Sequence, residues 1–220
     1  DVALGIGADR LDYTKGILER FAAIERFLEL EPSWVGRLAF VQIAAPSRSS
    51  IDEYQSLDAR VRAAAQRIND RFASPGCRPI ALKIEHHDAE RVYTHYRASD
   101  FCFVSSLHDG MNLVAKEFVA TREDERGVLV LSQFAGAARE LPEALIVNPY
   151  DTEQCAAAVR DALAMPPDEQ RARMRSMRAL LMEFNVYRWA GRMLLDAARM
   201  RNRRRLAVGK RAPAALPPPA

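Results

Sequence analysis

Six short, almost unbroken apolar runs punctuate this chain, and segments of helical character fill the gaps between them. The runs are Val2–Ile6, Leu38–Ala44, Ile80–Ile84, Phe101–Ser105, Val128–Leu131 and Leu145–Val147. Between them Ile17, Phe21, Ile24 and Leu28 recur at helical spacing, and so do Tyr54, Leu57, Val61 and Ile68. A strand that is apolar at successive positions is buried on both faces, and that requires helices above and below it. The alternation therefore predicts an α/β fold, a Rossmann-like parallel sheet with helices on both faces. With 220 residues, 49% of them hydrophobic, the chain can bury one sizeable core and is expected to form one domain. Ligands of such folds sit beyond the carboxyl ends of the strands. That directs attention to Arg10 after the first run, Pro46 to Arg48 after the second, and His108 to Leu113 after the fourth.

The chain begins at Asp1 with no starting Met, directly at a strand, and is expected to be cut from a longer protein. No apolar run reaches the length of a membrane span. Cys77, Cys102 and Cys155 have no metal or redox spacing, and read as buried free thiols in a reducing cytosol. The net charge of +3 conceals an asymmetry, because seven basic residues and no acids lie between Arg199 and Arg211. The body is thus mildly acidic and the tail basic. Such a tail could touch nucleic acid or anionic lipid. The preferred reading, supported by Pro217-Pro218-Pro219, is a solvated helix end running into disorder. Pro166-Pro167 separates two helices, and the last helix, about Val186 to Arg201, is rich in Met, Leu, Ala and Trp.

Two segments carry chemistry. In Gly5-Ile-Gly-Ala-Asp-Arg-Leu-Asp-Tyr-Thr-Lys-Gly16 the first strand joins its helix. Two glycines, Arg10 and Lys15 are expected to flank a helix N-terminus, which itself favours anions. Arg grips phosphate oxygens bidentately and Lys adds a point charge. Taken alone the segment is equally readable as surface ion pairs, with Asp9 and Asp12 as partners. The second segment, Ser106-Leu-His-Asp-Gly-Met-Asn-Leu-Val-Ala-Lys-Glu-Phe-Val119, turns at Asp109-Gly110 and enters a helix. Glu117 follows Asp109 by eight positions. Ionised carboxylates only accept hydrogen bonds, which suits them to reading sugar hydroxyls. In isolation Asp109 would also serve as a helix N-cap and Glu117 as a surface acid. His86 and His87, taken as neighbours on a strand, point to opposite faces and are read as ligands of nothing.

Together the two segments resemble the donor-binding signature of the trehalose-6-phosphate synthases, retaining glycosyltransferases of the two-domain GT-B fold. Further resemblance runs through Arg67-Ile-Asn69, Gly127–Ala138, Glu143–Asp151 and Met165-Pro166, and covers the chain from Gly5 to about Arg199. It implies that residues 1–200 are the C-terminal, nucleotide-sugar-binding domain, with 201–220 a basic, Ala/Pro-rich disordered tail. The last helix would return toward a missing N-terminal domain, which leaves room for exposed apolar surface and a homo-oligomer.

The resemblance also assigns roles. Arg10 and Lys15 would hold the diphosphate of UDP-glucose, and Asp109 the hydroxyls of its glucose. Backbone N–H groups at Met111, Asn112 and Leu113, next to Gly110, would meet sugar and phosphate, and Glu117 the ribose. Arg48 corresponds to an arginine for the phosphate of glucose 6-phosphate, although a lone arginine after a strand is as often an ion-pair partner. Two stretches depart from the family: His108 stands where an Arg is usual, and Lys83 to Asp88 differs where uracil would lie.

The implied reaction is retaining glucosyl transfer from UDP-glucose to glucose 6-phosphate in the cytoplasm, giving trehalose 6-phosphate and UDP. Arg10, Lys15 and Asp109 would be its catalytic residues on this half, with no cofactor and no metal ion. A related transferase with another acceptor, such as a glucosylglycerol-phosphate synthase, shares the same donor motifs. A non-catalytic nucleotide-sugar-binding regulator would keep them for binding alone.

Overall fold

The structure is a computed structural model that describes residues 2–47, 52–72 and 74–209. The chain divides into two compact units, Asp1–Leu180 and Leu181–Ala220. Six strands build the first: β1 (Ala3–Arg10), β2 (Leu38–Ala45), β3 (Ile80–Lys83), β4 (Phe101–Val104), β5 (Val128–Ser132) and β6 (Leu145–Val147). All pair in parallel, in the order β3-β2-β1-β4-β5-β6. The helices are α1 (Ile17–Leu30), α2 (Asp52–Phe72), α3 (Ala89–Ala98), α4 (Leu113–Thr121), α5 (Thr152–Ala164) and α6 (Pro167–Glu183), the last of which crosses the boundary between units. This is the doubly wound arrangement expected from the apolar runs.

The core follows from the periodicities. Ile17, Phe21, Ile24 and Leu28 are buried on α1, and Tyr54, Leu57, Val61 and Ile68 on α2. β4 and β5 are buried at every position, which is why their runs show no polar alternation. α1 packs against α2 and α5, while α3 packs against α4. The chain therefore winds one way from β1 to β3, crosses over, and winds the other way from β4. The strand order reverses between β1 and β4, and a crevice opens there at the carboxyl ends of those two strands.

β1 extends four residues beyond the expected Ile6, and this changes the role of its glycines. Gly5 and Gly7 lie within the strand. They do not flank the helix start, contrary to expectation. A Cβ on Gly5 would lie 2.4 Å from the Phe101 ring and 2.6 Å from that of Phe40. One on Gly7 would lie 2.2 Å from Nη1 of Arg20. Both glycines make room for large neighbours packed over β1, so neither is evidence for a phosphate loop. The left-handed glycine of this segment is Gly16, at φ +63° between a 3-10 turn (Tyr13–Lys15) and α1.

In the second unit α7 spans Val186–Gly209, longer than the helix expected to end near Arg201. Asn185 starts it, its side-chain oxygen accepting from the N–H groups of Tyr187 and Arg188. Trp189, Met193, Leu194 and Leu195 are exposed on it. Residues from Lys210 lie outside the described residues. Among the described residues, no helix is long and apolar enough to cross a membrane.

Phe101 is fully buried at the centre of the sheet, its ring centroid 6.0 Å from that of Phe40. Phe101→Ala is expected to lower unfolding free energy by about 3–5 kcal/mol, measured by urea denaturation. A loss below about 1 kcal/mol, far under the usual cost of emptying such a site, would mean that the sheet centre is not the packed core.

Candidate functional site

The loops after β1 and β4 meet in the crevice. Arg10 ends β1 with its side chain 59% exposed, and its guanidinium lies 4.0 Å from Asp12. Asp12 then turns the chain: its carboxylate accepts from the N–H of Thr14 at 3.0 Å and from its hydroxyl at 2.8 Å. The turn delivers Lys15 to the mouth of the crevice and Gly16 to the start of α1. A side chain at position 16 would strike the end of β4, since a Cβ there would lie 2.1 Å from the Ser105 carbonyl oxygen. The Ser105 hydroxyl donates to the carbonyls of Lys15 (3.2 Å) and Gly16 (2.7 Å), which ties this turn to β4.

The second loop, 105–112, is clamped from both sides. Leu107 N–H donates to the Thr14 carbonyl at 2.7 Å. On the other flank, Asp109 N–H donates to the Phe134 carbonyl and Gly136 N–H to the Asp109 carbonyl. Gly136 is needed for that contact, since a Cβ there would lie 2.1 Å from the Gly110 carbonyl oxygen. α4 is capped by Asn112, at φ +79°, whose side-chain oxygen accepts from Ala115 N–H at 2.9 Å. Asp109 is thus not the N-cap that its position before a helix would suggest. The capping role falls to Asn112, which frees the Asp109 carboxylate for the crevice.

What the two loops bring together is Lys15 and Asp109, at 2.6 Å from Nζ to Oδ2. Asp109 also accepts from the Asn112 amide at 3.1 Å and from Met111 N–H at 3.3 Å. A carboxylate offers about four acceptor positions, so three internal bonds leave room for a hydroxyl. Burial works to raise the Asp109 carboxyl. The Lys15 hydrogen bond and charge, with Met111 and Asn112, outweigh it and hold the group below the usual carboxylate range. Glu117 lies one turn into α4, half-buried, and the Tyr96 hydroxyl stands 3.5 Å from its Oε2 as donor. Met111 and Leu113 are exposed at the mouth. The first-turn N–H groups of α4 have no intrahelical acceptor, so the crevice holds two cations, a helix start and two carboxylates. Such a set can bind an anion beside a polyhydroxylated group.

Arg48 lies outside the described residues. A cavity of about 240 Å³ lies beside Ser47, lined by Leu11, Tyr54 and Ile84 among others. A larger hollow, about 620 Å³, runs along edge strand β3 and is lined by none of the residues given a role in binding or catalysis. His86 and His87 sit in the loop after β3 and not on the strand itself. Among the described residues no group of three His, Cys, Asp or Glu could hold a metal ion. Cys77, Cys102 and Cys155 are buried free thiols; burial pushes Cys155 up to about 12.

Sequence reasoning missed Arg20. It lies fully buried on the apolar face of α1 and pairs with Asp9, at 2.8 Å, so Asp9 is not a partner for Arg10 or Lys15. The available signal was a cation falling in the stripe Ile17, Phe21, Ile24. Ser105 and Gly136 were missed as well. Their contacts lie far away in sequence, and neither residue type is unusual at the end of a strand or in a turn.

Comparison with known proteins gives this geometry relatives. The family described as Glycosyltransferase family 20 matches residues 1–199. A trehalose-6-phosphate synthase of Klebsiella pneumoniae is 46% identical over 189 residues, covering 86% of this chain and 40% of that protein. The UDP-forming alpha,alpha-trehalose-phosphate synthase of Burkholderia xenovorans, solved in complex with glucose-6-phosphate, superposes with a TM-score of 0.86 at 42% identity. That match covers 89% of this chain and 43% of the other. An E. coli protein solved with UDP-2-fluoro glucose bound gives a TM-score of 0.86 at 41% identity, over 89% of this chain and 44% of its own. The chain spans less than half the length of these relatives.

With its folded value depressed, Asp109 stabilises the fold fully above the ordinary 3.8 and loses that contribution as pH falls through the lower folded value. A carboxyl NMR titration is expected to give a midpoint below 3.8, and Lys15→Met is expected to move it upward. An unshifted midpoint in the variant would mean that Lys15 does not hold the carboxylate.

Proposed function

The chain belongs to glycosyltransferase family 20, and we propose that it is the donor-binding half of a retaining glucosyltransferase. The donor is UDP-glucose and the acceptor glucose 6-phosphate, and the products are trehalose 6-phosphate and UDP. Residues 1–200 form the donor domain, and the rest of the site comes from the part of the protein that the relatives have and this chain does not span. With a nucleotide sugar and a sugar phosphate as substrates, the reaction takes place in the cytoplasm.

The observation that carries the reading is the meeting of Lys15 with Asp109 at the switch point, 94 residues apart in sequence. Arg10 and Lys15, with the start of α4, take the diphosphate. Asp109, beside Gly110 and the N–H groups of Met111, Asn112 and Leu113, takes the glucose hydroxyls. Glu117 takes the ribose, and Arg48 is assigned to the acceptor phosphate. In the reaction the anomeric carbon breaks its bond to the diphosphate oxygen and forms one to the acceptor hydroxyl on the same face. The departing phosphate oxygen accepts the acceptor's proton. Negative charge grows on the diphosphate as that bond lengthens, so cations fixed beside it favour the transition state over the ground state. Asp109 stays ionised throughout and only accepts hydrogen bonds. Lys15 is already paired with it, so the diphosphate shares or displaces an existing bond instead of ordering a free side chain.

Calorimetric titration of the chain with UDP-glucose, UDP, GDP-glucose and ADP-glucose tests this. The uridine ligands are expected to bind in preference. Arg10→Ala and Glu117→Ala are each expected to weaken UDP-glucose by about 1.5–3 kcal/mol, as for hydrogen bonds to charged groups. If neither the folded chain nor the full-length protein carrying it binds any of the four, the reading is wrong.

A further inference from the structure

We propose that the buried pair Asp9–Arg20, with Ser105, is a positioning device that sets the spacing of Arg10 and Lys15. The inference rests on the donor-site reading above. Asp9 immediately precedes Arg10 at the end of β1, and strand alternation sends their side chains to opposite faces. Arg10 is 59% exposed at the crevice, whereas the Asp9 side chain is 2% exposed and points into the protein. There Arg20, from the first turn of α1, meets it at 2.8 Å and also donates to Gln42 Oε1 at 2.6 Å. Nη2 of Arg20 reaches the Lys15 carbonyl at 3.5 Å, and the Ser105 hydroxyl donates to that same carbonyl. One guanidinium therefore bonds the residue before the first cation and the backbone of the second.

Stability does not account for this arrangement. A buried ion pair can often be replaced by apolar groups of similar shape without loss. Here Arg20 leaves its Nε buried without a partner, and β1 gives up a side chain at Gly7 to admit it. Its guanidinium carbon also lies 5.9 Å from the centre of the Phe103 ring, surroundings in which a Met or Leu would fit. Geometry does account for it. A methionine would fill the volume but tie nothing to the Lys15 carbonyl. Arg20 is fully buried beneath the crevice, so it acts through its neighbours and not by touching the diphosphate.

The test is steady-state kinetics on the full-length protein that carries this chain, with the double variant Asp9→Asn/Arg20→Met and, separately, the milder Ser105→Ala. KM for UDP-glucose is expected to rise about tenfold or more in the double variant, as for a small displacement of binding groups. Ser105→Ala is expected to move it in the same direction by less. KM for glucose 6-phosphate should not change, and adding Lys15→Ala to the double variant should cost much less than Lys15→Ala costs the parent. A loss of folded protein, with kcat and both KM values of the folded fraction unchanged, would indicate a merely structural pair and overturn the inference. So would full additivity with Lys15→Ala. If the parent protein releases no UDP from UDP-glucose and glucose 6-phosphate, the donor-site reading fails and takes the inference with it. A parent that is active, with only Lys15→Ala impaired, sinks the inference and leaves the reading standing.

Discussion

The reversal of strand order between β1 and β4 is the constraint on which the site depends. On one side of it the chain leaves β1 toward α1; on the other it leaves β4 toward α4, which packs with α3. Two adjacent parallel strands therefore end side by side while their loops diverge, and the gap between those loops is the crevice. Each feature of the site is a way of controlling one of the two loops. Asp12 turns the first, Asn112 caps the helix that follows the second, and Ser105 holds the first against the second. The Lys15–Asp109 bond then closes the gap between them.

Much of this was legible from residue order, and the reasons are specific. β4 and β5 are buried on both faces, so their runs are unmistakably apolar. α1 and α2 bury one stripe each, so their spacing shows. The far half of β1 was not legible, because Gly7, Ala8 and Asp9 are poor strand formers by propensity. What holds them in the strand is eight-residue pairing with β2, from Ala3 opposite Leu38 to Arg10 opposite Ala45. Tertiary pairing overrode local preference there, and the two glycines expected to flank the helix start are packing residues within the strand.

The site's residues were legible only through resemblance. Composition and spacing left Arg10 and Lys15 as unremarkable surface cations and Asp109 as a plausible cap. Their partnership spans 94 positions, and no local pattern encodes a contact at that separation. Arg20 was hidden for the opposite reason. The apolar spacing of Ile17, Phe21, Ile24 and Leu28 says nothing of the charged residue lying among them, yet Arg20 is the one cation that α1 buries.

The cations in and beneath the crevice come in pairs: Lys15 with Asp109, Arg10 near Asp12, and Arg20 with Asp9. A site of free cations would attract an anion more strongly, but its side chains would wander and would have to be ordered on binding. Pairing spends some of that attraction on fixed positions. For a group-transfer site the exchange is favourable, because attraction felt equally by bound donor and transition state does not speed the chemistry. What speeds it is a cation already standing where charge will appear. The three pairs grade from exposed to sealed. That gradient is what a scaffold for fixed cations requires: charge is most confined where it holds the backbone and most accessible where, on the proposed reading, it meets the diphosphate.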